Sequence, residues 1–251
     1  MKKIILPFFK FLICWLVMII YVFLALPCLI ILGKKKTWEF WFPFFGKSLL
    51  KILGIKLKVS GLENIKGPAI FAMNHQSLID ILLLPAIAPK KSTPIAKESF
   101  KKIPFISFAM RAGSCIFVDR TNTKSAVQSL EEGLEKLPSD YSLLICPEGT
   151  RSLNFKLNPL KKGIVHVALK SKLPIITIGY YGMHKIGGKK GSLLFQANTL
   201  FIHANKKIET SHWKYQNLNQ HLNEIRDSLV LSIETAKKEF YYQSKTTPKN
   251  N

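Results

Sequence analysis

"PAIFAMNHQSLIDILLL", residues 68–84, is an apolar run broken by a few polar residues. Its first part, "PAIFAM", has the texture of a buried strand. A later part, "SLIDILLLPAIA", reads as a helix ended by Pro89. Asn74, His75 and Asp80 sit inside a segment that otherwise reads as core. On one continuous helix, at about 100° per residue, His75 and Asp80 would point roughly 140° apart and could not touch. They meet only if His75 lies in the turn ahead of the helix and Asp80 reaches back from its first turn. The carboxylate then holds one imidazole nitrogen and leaves the other as a proton acceptor, the orienter-plus-base half of a catalytic triad. No serine or cysteine is needed if the substrate brings the nucleophilic hydroxyl. A plainer arrangement fits the same residues: a helix start with Asn74 as N-cap, His75 incidental and Asp80 exposed.

The strand-and-helix texture repeats along the chain. "KLKVSG", "STPIAK", "SCIFVD", "YSLLICP", "LPIITIGYYG" and "GSLLFQA" read as strands. "TKSAVQSLEEGLEKL", with Thr123 as N-cap, "KKGIVHVALKSK" and the long "QNLNQHLNEIRDSLVLSIETAKKEF" read as helices. Such alternation predicts an α/β fold with a mixed, mostly parallel sheet flanked by helices. The expected organisation is three segments: N-terminal membrane-anchoring helices over 1–54, the α/β domain over 55–243 and a polar tail over 244–251.

The anchoring expectation comes from "FLICWLVMIIYVFLALPCLIIL", residues 11–32, which carries no charge. Its length matches the roughly 20 residues a helix needs to cross a bilayer. Pro27 allows a bend, so a spanning and a re-entrant helix both fit. "TWEFWFPFFGKSLLKILGI", residues 37–55, has aromatic and lysine faces that suit the interface. The formal charge of +22 then has a use, since a basic surface attracts anionic headgroups. No RNA-binding or zinc-finger signature appears, so nucleic acid is not an expected partner. The six histidines show no HExxH or paired ligand spacing, which disfavours a metal. The four cysteines lack CxxC spacing and read as reduced, buried thiols.

Three polar clusters follow apolar strands, where open α/β sheets build their sites. They are Asn74–His75–Asp80, Asp119–Arg120, and "PEGTRS" over 147–152. In the last, Gly149 lets backbone approach a ligand and Arg151 offers a planar fork suited to phosphate. Lys97 is a further candidate phosphate contact.

Together these blocks resemble the glycerolipid acyltransferases of the 1-acylglycerol-3-phosphate acyltransferase (PlsC-like) type. "NHQSLID" matches their NHxxxxD signature, and "GSCIFVDR", "CPEGTRS" and "LPIITIGYYG" look like their later blocks, in the same order. "AKESFKKIPF" also looks family-like. Cys146 stands where a larger apolar residue is usual, and Thr177 where Val or Pro is common. The resemblance covers about residues 55–200, and it implies roles. His75 would deprotonate an acceptor hydroxyl and Asp80 would orient it. Asn74, Lys97, Arg120, Glu148, Gly149, Thr150 and Arg151 would bind substrate, and Pro174 would shape the acyl-donor side. The expected partners are membrane lipids, a lysophospholipid acceptor and an acyl-CoA or acyl carrier protein donor. A thioester is already activated, so no cofactor or metal is expected. The catalytic domain is expected on the cytoplasmic face of a membrane. Two other classes fit parts of the pattern: a hydrolase in which His75 activates water, and a non-catalytic basic adaptor.

Overall fold

Ile70 to Met73 are four consecutive fully buried residues, and they form the central strand around which both layers pack. A computed structural model of the chain describes residues 2–119, 122–152, 154–186 and 198–246. Within its helices, the side chains of 2–8, 10, 11, 14, 15, 18, 22, 104–106, 123, 244 and 246 lie outside the description. The elements in chain order are α1 (Lys2–Leu53), β1 (Ile55–Ser60), β2 (Ile70–Met73), α2 (Asp80–Ile87), β3 (Ser92–Lys97), α3 (Pro104–Ala112) and β4 (Ile116–Val118). There follow α4 (Thr123–Glu135), β5 (Ser142–Ile145), α5 (Gly163–Ser171), β6 (Ile175–Tyr181), α6 (Met183–Ile186), β7 (Asn198–Ala204) and α7 (Leu218–Thr246).

Among the described residues seven strands form one sheet, in the order β1-β7-β6-β2-β5-β3-β4. Every pairing is parallel except β6 with β7. The expected mixed, mostly parallel sheet is therefore present. Alternate residues of β2 point to opposite faces. Phe71 and Met73 join Leu50 and Leu53 of α1 and Leu83 of α2. Ile70 and Ala72 join Leu130 of α4, Val165 of α5 and Leu229 of α7. The anticipated strand "GSLLFQA" lies outside the described residues, and β7, just after it, was not anticipated. The N-cap of α4 is Asn122 rather than Thr123. Its side-chain oxygen accepts from Ser125 N at 3.2 Å, and its extended backbone leaves the helix to begin one residue later.

Pro27 does not divide the N-terminal run; Gly33 does, with φ 75° and ψ 168° inside α1. The two arms of α1 fold back on each other there. The Tyr21 ring meets Trp41 and Phe45 at 5.4 and 5.8 Å, and its hydroxyl bonds that of Ser48. Among the described residues no helix is long and apolar enough to cross a membrane. The described residues do not support the expected membrane helix pair; the N-terminal helices form a hairpin. Its second arm is fastened to the α/β domain. Trp38 Nε1 donates to Ser92 O at 2.9 Å, the Tyr141 hydroxyl donates to Glu39 at 2.8 Å, and Lys35 lies 3.7 Å from Asp140. Gly113 makes room for the Trp38 indole: a Cβ there would stand 2.2 Å from the ring.

Helix α7 ascends beside β6. Ser228 and Ser232 place their hydroxyls 2.7 and 3.0 Å from that of Thr177, and the Phe240 and Tyr181 rings meet at 5.2 Å. The helix runs on to Thr246, two residues beyond the start of the expected tail at 244. Its close approach depends on Gly179, where a Cβ would lie 2.2 Å from Ile233 N. Backbone cannot yield as a side chain tip can. Gly179→Ala is therefore expected to lower stability by about 1–3 kcal/mol through overpacking. Gly163→Ala, with nothing within 4 Å of the added carbon, serves as the neutral control. Thermal unfolding checks the pair, and equal midpoints would remove this account of how α7 docks.

Candidate active site

The site is built where β2 stops. After Met73 the chain makes a six-residue turn, and α2 starts on Asp80 itself. This carboxylate is 1% exposed. A buried charge is tolerated only with donors around it. Oδ2 accepts from His75 Nδ1 at 2.7 Å, Gln76 N at 2.8 Å and Ser77 N at 3.1 Å. Oδ1 accepts from the Tyr180 hydroxyl at 2.6 Å. His75 thus lies in the turn and Asp80 in the first helical turn, the one arrangement in which this spacing lets them meet. With a carboxylate against Nδ1, that nitrogen carries the proton and Nε2 is left as acceptor. The His75 side chain keeps 21% exposure, against 2% for Asp80, so the free edge of the ring faces outward.

The "PEGTRS" turn follows β5, which pairs directly with β2. It is stitched to His75 on both sides of the backbone. His75 N donates to Glu148 Oε1 at 2.6 Å, and Ser152 N donates to His75 O at 2.8 Å. The second Glu148 oxygen accepts from Asn158 N at 2.7 Å. Burial pushes the Glu148 carboxyl above its usual range, while its two backbone donors and the nearby His75 pull it back. Both oxygens are therefore taken up by the chain itself. Gly149 has φ 73°, a left-handed conformation that suits glycine, and a Cβ there would come within 3.3 Å of the Lys161 stem. Thr150 is exposed and Arg151 half-buried. Among the described residues nothing pairs with the Arg151 guanidinium.

Asn74, Glu148 and Asp80 share one property: their polar atoms face protein. Asn74 Oδ1 accepts from Tyr180 N at 2.9 Å, and its amide donates to Tyr180 O at 3.3 Å. Lys97, exposed at the end of β3, stands on the same sheet edge two strands from β2. Asp119 stands at the end of β4, three strands away. Arg120 lies outside the described residues. The structure thus gathers Asn74, His75, Asp80 and residues 148–151 around one point, with Lys97 along the rim.

Two residues at that point were not anticipated. Tyr180 is the last residue but one of the apolar strand β6, and nothing in its sequence setting distinguishes it from core. Gln76 donates through Nε2 to Phe155 O at 3.0 Å and offers its backbone N–H to the dyad. Burial pushes the Cys115 thiol up to about 12, so it keeps its proton. Chemically, the arrangement is an oriented base whose turn is bonded to the turn that carries Arg151, suited to take a proton from a group on an anionic ligand.

Residues 56–181 match the family model described as Acyltransferase. A 1-acyl-sn-glycerol-3-phosphate acyltransferase of Limnanthes douglasii is 31% identical over 194 residues, 77% of this chain and 69% of that protein. One of Saccharomyces cerevisiae is 33% identical over 183 residues, 71% of this chain and 60% of that protein. One of Borreliella burgdorferi is 29% identical over 197 residues, 76% and 77% of the two chains. Among solved structures, the 1-acyl-sn-glycerophosphate acyltransferase PlsC of Thermotoga maritima superposes with a TM-score of 0.77. It covers 94% of this chain and 95% of its own at 24% identity, a likeness of fold.

Glu148→Gln tests the bracing read from the geometry. An amide has one oxygen, so its NH2 must face a backbone N–H that now lacks an acceptor. The variant is expected to lose about 1–3 kcal/mol of stability, measured by denaturant unfolding. An unchanged unfolding midpoint would mean that the carboxylate does not brace the turn.

Proposed function

The chain belongs to the acyltransferase family, and on that premise we propose that it acylates the free hydroxyl of 1-acylglycerol-3-phosphate to give phosphatidic acid. The donor is a fatty acyl thioester of coenzyme A or of acyl carrier protein. The observation that carries this reading is the 2.7 Å contact of His75 Nδ1 with Asp80, with no partner on Nε2 among the described residues and with Arg151 one residue from Ser152, whose N–H bonds His75 O.

The reaction follows from these groups. A hydroxyl is a poor nucleophile until a base removes its proton. His75 Nε2 takes that proton as the oxygen attacks the thioester carbonyl carbon, and Asp80 stabilises the imidazolium that forms. The tetrahedral intermediate collapses with cleavage of the C–S bond. The departing thiolate receives the proton back from His75, so the enzyme is unchanged at the end. Arg151, together with Lys97 along the rim, offers positive charge to the acceptor phosphate. Asn74 and Glu148 act by holding the loops rather than by touching substrate, because their polar atoms are engaged. Gly149 lets the backbone at Thr150 approach the ligand.

We also read the α1 hairpin as the membrane attachment. Its outer surface carries Phe23, Ile30 and Ile31 at 67, 87 and 78% exposure, an apolar area that none of the described residues covers. A hairpin lodged in the lipid interface suits an enzyme whose acceptor is itself a lipid. Since β1 starts on the sheet edge that carries the site, the second arm leads toward that edge and the first arm's N-terminal half runs back toward it.

The test is acyl transfer by the full chain to 1-acylglycerol-3-phosphate in vesicles, with both donors. His75→Ala is expected to lower kcat by about 10²–10⁴-fold, the usual contribution of a general base. Arg151→Ala is expected to act mainly through KM for the acceptor. Release of free fatty acid without acceptor, in place of transfer, would turn the reading toward a hydrolase. Flotation with anionic vesicles tests the hairpin: Ile30→Ser with Ile31→Ser is expected to weaken vesicle binding, and equal binding would move the attachment elsewhere.

A further inference from the structure

Oδ2 of Asp80 has three donors, but among the described residues Oδ1 has one, the hydroxyl of Tyr180. Tyr180 is fully buried, and burial together with the adjacent Asp80 charge holds its phenol well above the ordinary tyrosine range. It is therefore a committed proton donor. The same oxygen accepts from Gln76 N at 3.1 Å, the amide that also bonds Asp80 Oδ2. The main chain of Tyr180 is clasped from both sides by the Asn74 amide, next to the histidine. A closed circuit results, from Asn74 to Tyr180, Tyr180 to Asp80, Asp80 to His75, and by the peptide bond back to Asn74.

We propose that Tyr180 is a positioning residue of the acyl transfer: by donating to Oδ1 it fixes the plane of the Asp80 carboxylate, and so the orientation in which His75 presents Nε2. This rests on the reading of His75 as the base. A core tyrosine needs only some partner for its hydroxyl. Here the partner is the oxygen that leaves the other one aligned on imidazole. Without the phenol, Oδ1 is buried with no donor, and the carboxylate is free to turn about Cβ–Cγ over the backbone amides of Gln76 and Ser77. His75 then loses its fixed ring orientation while Arg151, on another loop, keeps its place. The loss should fall on the chemical step and not on substrate capture.

Tyr180→Phe removes one oxygen and keeps the ring that packs with Met73 and Ile178 in the core. In the full chain, with 1-acylglycerol-3-phosphate and an acyl-CoA, kcat is expected to fall about 10- to 100-fold, the weight of a hydrogen bond to a charged group. KM for both substrates should stay within about twofold. The acidic limb of the kcat/KM profile should move to higher pH, because a carboxylate with one donor fewer favours the protonated form of itself and of its imidazole. The titratable groups facing this carboxylate are His75 and Tyr180, with Glu148 and Cys146 farther off. Replacing Tyr180 with 3-fluorotyrosine keeps the shape and strengthens the donor, so the limb should move to lower pH. That variant decides the matter if the phenylalanine variant fails to fold. A Tyr180→Phe enzyme with kcat within about twofold of the parent, or a fluorotyrosine enzyme with an unmoved limb, would overturn the proposal. An active His75→Ala would overturn the base itself. An inactive His75→Ala beside a normal Tyr180→Phe would overturn only the role of the phenol.

Discussion

The buried carboxylate of Asp80 is the constraint on which the rest of this structure depends. At 1% exposure it cannot look to water, so four protein donors must be delivered to one point. Those donors come from distant parts of the chain. Gln76 N and Ser77 N belong to the turn, His75 Nδ1 to its start, and the Tyr180 hydroxyl to a strand about a hundred residues later. The turn after β2 is thereby forced to curl back over the first turn of α2. The parallel pairing of β2 with β6 then follows as a requirement, since it brings Tyr180 level with the turn. Local structure and sheet topology are both answers to the same desolvated charge.

A second layer of restraint fixes the opposite side. Glu148 is buried as deeply as Asp80 and is satisfied by backbone, from His75 on one oxygen and Asn158 on the other. Two carboxylates thus flank the histidine with different duties. One aligns its ring and the other its main chain. Among the described residues Arg151 has no partner, although it lies on the same turn as Glu148. A cation on that turn with no partner among the described residues is available to a ligand that arrives later.

The sequence carried much of this, for identifiable reasons. Continuous apolar strands and the 3.6-residue pattern of α4, α5 and α7 made the α/β class legible, because burial on both faces leaves a plain mark in composition. The meeting of His75 with Asp80 was legible as a condition, since the helical period excludes contact on one helix and leaves only the turn-plus-helix solution. Tyr180 was not legible. A tyrosine at the end of "IITIGY" reads as core, and its partner is set by the register between β2 and β6, which no local pattern encodes. The hairpin in α1 was half legible. Proline drew attention as a breaker, yet Pro27 sits within the helical run and the reversal falls at Gly33, whose φ of 75° is easily reached only without a side chain. The strand β7 was displaced in the reading by its neighbour "GSLLFQA", because nothing local in "NTLFIHA" announces the antiparallel partner that β6 gives to residues 201–204.

Sorting the polar groups at the site by whether protein already satisfies them yields the last step. Asn74, Asp80, Glu148 and Tyr180 are satisfied, and each is buried. His75 Nε2, Arg151 and Lys97 have no protein partner among the described residues, and each reaches the open edge of the sheet. The first set is the scaffold, and its buried polar cost is met internally. The second set defines the complementary ligand, one that brings a proton to give up and negative charge to be held. A coenzyme A or carrier-protein thioester brings phosphate charge but no reacting hydroxyl, and a neutral alcohol brings only the proton. A hydroxylated phosphate ester has both. The unpaired groups therefore favour the acceptor, rather than the donor, as the substrate this edge of the sheet was shaped to recognise.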